Sequence, residues 1–111
     1  MAIMEVSVED IKKKIQEGGL VLVDFFASWC MPCQQISGIL EEVDKDHHDN
    51  YQMYKVDVEK EDNKEFVNQY MIMSLPTVVL FYQGKKADSF IGLQSKETIR
   101  EMMQKILQKN S

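Results

Sequence analysis

The sequence predicts an α/β domain built on a central mixed five-stranded sheet, with four helices covering its two faces. Three observations carry that expectation. The run Leu20-Val21-Leu22-Val23-Asp24-Phe25-Phe26 is apolar at nearly every position, as in a strand buried on both faces. Strand-like and helix-like stretches alternate along the chain, which demands crossovers and parallel neighbours. Finally, Thr77–Tyr82 is followed by Gln83-Gly84-Lys85 and a second strand-like run, a pattern that closes as an antiparallel hairpin.

The elements follow in the order βαβαβαββα. Residues 3–6 form a short first strand. Ser7 then caps a helix carrying Val8, Ile11 and Ile15, and Gly18-Gly19 ends it. After the buried strand Leu20–Phe26 comes a turn holding both cysteines, then a long helix to Asp46. Ile36, Ile39, Leu40 and Val43 recur along it at helical spacing. Gly38 falls inside this helix, where it costs about 1 kcal/mol relative to Ala and signals a bend or close packing. Residues 52–58 alternate as a third strand. Asp62 with Glu65 resembles a capping box for a short helix ending near Tyr70. Thr77–Tyr82 and residues 87–91 form the hairpin. Ser95 caps a last helix with an apolar stripe of Ile99, Met102, Met103, Ile106 and Leu107.

A chain of 111 residues has room for one domain, residues 1–111, and no repeat or linker-like stretch divides it. Its formal charge of −5 argues against nucleic acid or an anionic membrane as the main partner. The first ten residues lack the basic and apolar regions of a signal peptide, and no uncharged run is a convincing membrane span. A cytoplasmic, monomeric protein is expected. Two cysteines are too few for a secreted disulfide scaffold.

Those two cysteines, in Trp29-Cys30-Met31-Pro32-Cys33, are spaced so that both sulfurs meet in one turn, as a disulfide or a thiol pair. The pair sits at a strand-to-helix junction, with Cys30 near the helix N-terminus. Free amide N–H groups there favour negative charge, and a thiolate is the nucleophile of disulfide exchange. A zinc site is the competing reading of a C-x-x-C pair. It fails because His47 and His48 are adjacent, whereas zinc ligands of this kind stand three to five residues apart. Asp24 is the other informative residue. A carboxylate inside an apolar strand is costly unless paired or protonated, so burial is expected to raise its pKa.

The chain resembles the thioredoxin family over essentially its whole length. The matching stretches run from Val23 to Cys33, and through Lys55-Val56-Asp57, Leu75-Pro76-Thr77, Phe81-Tyr82-Gln83-Gly84 and Gly92. The resemblance implies that Cys30 attacks a disulfide in a target protein and that Cys33 resolves the mixed disulfide. It implies Asp24 as proton acceptor for Cys33, with Lys55 near that acid. It also implies a cis Leu75–Pro76 bond and strand-like pairing of a target with the Ser74 and Leu75 backbone. Trp29 and Gly92 would wall the groove, with Met31, Pro32 and Met73 beside it. Thioethers there would help the groove accept varied targets.

Met31 stands where the family usually has Gly, Gly38 where it has a kinking Pro, and Phe26 where it often has Trp. Pro32, unlike the histidine of oxidising and isomerising relatives, adds no charge beside Cys30, so a reductant is expected. No Gly-rich dinucleotide fingerprint is present, so no cofactor is expected on the chain. The implied electron donor is a separate thioredoxin reductase, which carries FAD and uses NADPH. The competing readings are a disulfide oxidase or isomerase, and a binding module that uses the fold as a structural subunit.

Overall fold

The computed structural model describes residues 3–46 and 51–109. Strands β1 (Met4–Glu5), β2 (Leu20–Phe26), β3 (Tyr51–Asp57), β4 (Thr77–Tyr82) and β5 (Lys85–Ile91) form one sheet in the order β1-β3-β2-β4-β5. Helices α1 (Val8–Gln16), α2 (Met31–Asp46), α3 (Lys64–Gln69) and α4 (Lys96–Lys109) cover it, with a 3₁₀ turn at Glu61–Asn63. The predicted mixed sheet is the one observed. β2 lies at its centre, parallel to β3 and antiparallel to β4.

Side chains of a strand alternate between faces, so β2 feeds two cores. Leu20 and Leu22 meet Ile36, Leu40 and Val43 of α2 and Ile99, Met103 and Ile106 of α4. Val21, Val23 and Phe25 meet Ile11 and Ile15 of α1 and Phe66 and Val67 of α3. Asp24 shares its strand parity with Leu20 and Leu22, so its carboxyl points to the α2 side.

Two caps form where the sequence places them. Ser7 Oγ accepts the Asp10 N–H at 3.1 Å, and Ser95 Oγ accepts the Thr98 N–H at 3.1 Å. The Asp62–Glu65 capping box does not form. Asp62 falls in the 3₁₀ turn, and Asn63, at the start of α3, makes no side-chain cap. Its amide donates instead to the Asp57 carbonyl at 2.8 Å, tying the turn back to β3.

Other boundaries shift slightly. β1 is only two residues long, and β3 begins and ends one residue earlier than its alternation suggests. The hairpin turn is two residues, Gln83 and Gly84, both at positive φ, which matches the twist of the strands it joins. β5 is accordingly longer, and a register shift opposite Leu80 and Phe81 leaves Ala87 as a bulge. Gly38 does not mark close packing, since a methyl group there would meet nothing within 4 Å.

Candidate active site

β2 ends at Phe26, and four residues later Cys30 directly precedes α2. The first amides of a helix lack intrahelical acceptors. Here the Cys33 N–H donates to Cys30 Sγ at 3.2 Å, so the sulfur occupies the place of a capping side chain. No acidic residue stands in the first turn of α2 to oppose negative charge there. Pro32, in the same turn, lacks an N–H that would have had no helical partner. Cys30 and Cys33 are joined as a disulfide, with their Cα atoms 5.2 Å apart.

The two cysteines line different spaces. Cys30 lines a groove of about 780 Å³ with Trp29, Met31, Pro32, Val58, Met73 and Leu75, which α3 completes with Lys64, Val67 and Asn68 and the loop after it with Ile72. Cys33 lines a cavity of about 290 Å³ together with Asp24, Lys55, Ser28, Gln34 and Ser37. The site thus has an open groove on the Cys30 side and a buried acid on the Cys33 side.

Asp24 is 1 % exposed, and no protein group donates a hydrogen bond to either carboxyl oxygen. Burial pushes its pKa from 3.8 up to about 7, against the opposing pull of the Lys55 ammonium. Lys55 pairs with Asp24 in the β2–β3 register. Its Nζ does not form an ion pair with the acid and lies 5.0 Å from the centroid of the Phe26 ring.

The apolar side chains of the groove are unusually open. Trp29 is 67 %, Met31 66 % and Met73 91 % exposed. The Leu75–Pro76 bond is cis. Ser74 is exposed, and its carbonyl accepts from Thr77 Oγ1 at 2.6 Å. Gly92, at φ 80°, donates its N–H to the Pro76 carbonyl at 2.9 Å. Ser74, Pro76 and Gly92 are not among the residues lining the groove; Trp29 is, and α3 supplies the wall expected of Gly92. Sequence reasoning also missed Glu59, whose Oε2 accepts the Trp29 indole N–H at 2.7 Å. Glu59 is itself placed by its N–H, which donates to Asp57 Oδ1 at 2.9 Å.

A family model described as Thioredoxin matches residues 2–105. The chain belongs to the thioredoxin family. Thioredoxin of Staphylococcus aureus is 38% identical over 107 residues, covering 96% of this chain and all of the relative. Chloroplastic thioredoxin z superposes with a TM-score of 0.83 at 29% identity, covering 96% of this chain and 95% of that one. Plasmodium falciparum thioredoxin gives 0.78 at 30%, covering 93% and 98%.

Thioredoxins are thiol-disulfide oxidoreductases that use such a cysteine pair for dithiol–disulfide reduction of proteins, and they carry no bound cofactor. Among the described residues no group of three or more His, Cys, Asp or Glu could hold a metal ion. His47 and His48 lie outside the described residues. No helix among them is long and apolar enough to cross a membrane.

Proposed function

We propose that residues 1–111 act as a single, monomeric thioredoxin domain in the cytoplasm, reducing disulfides of target proteins through Cys30 and Cys33. The observation that carries the division of labour is that the two bonded cysteines line different spaces, Cys30 an open apolar groove and Cys33 a cavity shared with a buried acid.

In the reduced protein the amides at the head of α2 favour a thiolate on Cys30 over a thiol. That thiolate attacks one sulfur of a target disulfide, and the other target sulfur leaves as a thiolate. Cys33 then gives its proton to the Asp24 carboxylate and attacks Cys30 Sγ. The bond between Cys30 and the target breaks, releasing the second target thiolate. Once the target thiolates take up protons, the target has gained two electrons and two protons. The protein is left with the Cys30–Cys33 bond seen in the structure.

Lys55 tunes the acid by favouring its ionised form, against the larger effect of burial. Trp29, Met31, Pro32, Met73 and Leu75 hold the target, while Ser74, Pro76 and Gly92 shape the backbone at its edge. Met31 and Met73 supply adaptable apolar surface for varied targets. The dithiol is restored by a separate thioredoxin reductase that draws on NADPH and FAD. A reducing compartment suits this cycle.

Insulin-disulfide reduction with dithiothreitol as donor tests the reading. Wild type should accelerate the reaction and Cys30→Ser should not. Equal rates for the two would refute it.

A further inference from the structure

We propose that Lys64 makes this protein favour targets carrying an acidic side chain within a few residues of the cysteine under attack. The inference rests on the groove over Cys30 being the docking site for protein disulfides.

Among the described residues, Lys64 is the only charged side chain lining that groove. It lies in α3 one turn before Asn68, and residues four apart share a helix face, so the two run together along the wall. Its sequence neighbours Asp62 and Glu65 do not share the groove. They line a separate one with Glu5, Glu9 and Lys12. Among the described residues Lys64 forms no ion pair, so its ammonium is free to meet an incoming charge. Glu59 does not line the groove, and its Oε2 is held at the Trp29 indole, away from the α3 wall. An extended segment lying against Met31, Ile72 and Met73 therefore meets one cation, and no anion, among the residues that line the groove.

The sign of the effect separates this contact from the overall field. With a net charge of −5, the chain as a whole repels acidic targets. A local contact with Lys64 produces the opposite preference. Exposed ion pairs are weak and screened by salt, which limits the expected discrimination to about 5-fold at low ionic strength.

The test uses the full chain and disulfide-bridged peptides bearing Glu, Gln or Lys within three residues of the cysteine, on each side in turn. kcat/KM should rank Glu above Gln above Lys for at least one of the two placements, by about 3- to 5-fold end to end, and the spread should collapse at high salt. Lys64→Gln should flatten the ranking and Lys64→Glu should invert it. Lys12→Gln, on the other groove, should leave it as in wild type. A flat or reversed ranking in wild type overturns the proposal, as does a ranking that survives Lys64→Gln or disappears in Lys12→Gln. Absence of turnover with every peptide overturns the reductase reading, and this proposal with it.

Discussion

Asp24 and Lys55 stand side by side across the β2–β3 ladder, yet the cation does not hold the acid in its charged form. The carboxyl is buried without a protein donor, and burial outweighs the lysine's attraction. The folded protein therefore keeps a proton on Asp24 at pH values where an unfolded chain has lost it.

This makes stability depend on pH in a defined direction. Because the folded pKa, about 7, exceeds 3.8, the native state binds the extra proton between these values. The stability contributed by the protonated acid is complete below about pH 4 and is lost as pH rises through about 7. The full difference is on the order of 4 kcal/mol, from roughly 1.4 kcal/mol per pKa unit. Asp24→Asn should accordingly raise the denaturation midpoint at pH 8 much more than at pH 4. Chemical denaturation at both pH values measures it, and an equal shift at the two would contradict the assignment.

Resolution of the mixed disulfide should follow the same titration. The acid accepts a proton only when ionised, so wild-type resolution should slow as pH falls below about 7. Asp24→Asn should slow it by about 100-fold at pH 8 and remove that inflection. Rapid-mixing measurement of target-thiol release from a preformed mixed disulfide reads both effects.

Removing each cysteine in turn should trap different species. Cys33→Ser should accumulate a covalent complex between Cys30 and a target, because nothing remains to resolve it. Cys30→Ser should accumulate none. Mass spectrometry of the reaction with an oxidised protein target distinguishes them, and a complex formed through Cys33 would reverse the assigned roles.

Glu59 anchors the indole of Trp29, the only tryptophan in the chain. Glu59→Ala should loosen that ring, lowering its time-resolved fluorescence anisotropy. The bond is exposed, so global stability should fall by less than about 1 kcal/mol. Unchanged anisotropy would show that neighbouring packing, not the carboxylate, holds the ring.

The open methionines should matter for breadth of target use. Met31→Gly and Met73→Ala each remove apolar surface from the groove. Partial loss of a buried methionine contact, about 1 kcal/mol, corresponds to a drop of about 5-fold in kcat/KM. The losses should differ among several disulfide proteins, and an unchanged profile would discount the thioethers.

Much of this arrangement was legible in the chain because its signals are local. The apolar run of β2, the Ser7 and Ser95 caps and the cysteine spacing each lie within a few residues of one another. Asp24 stood out for the same reason, as one carboxylate among buried apolar neighbours. What escaped was decided by tertiary contact. Lys64, Val67 and Asn68 belong to a helix whose sequence marks it only as amphipathic. They become groove residues because the crossover from β3 to β4 sets α3 beside Cys30. The capping box failed for a related reason. Asn63 found the Asp57 carbonyl, and the chain entered α3 through a tighter turn. Glu59 had no motif to reveal it, since its partner lies 30 residues away.

The cavity behind Cys33 has one more consequence. It shares no lining residue with the groove over Cys30, so a client seated in that groove need not cover it, and hydrogen ions would keep their own route to Asp24 during the covalent handover. Docking and acid–base traffic would then use separate doors.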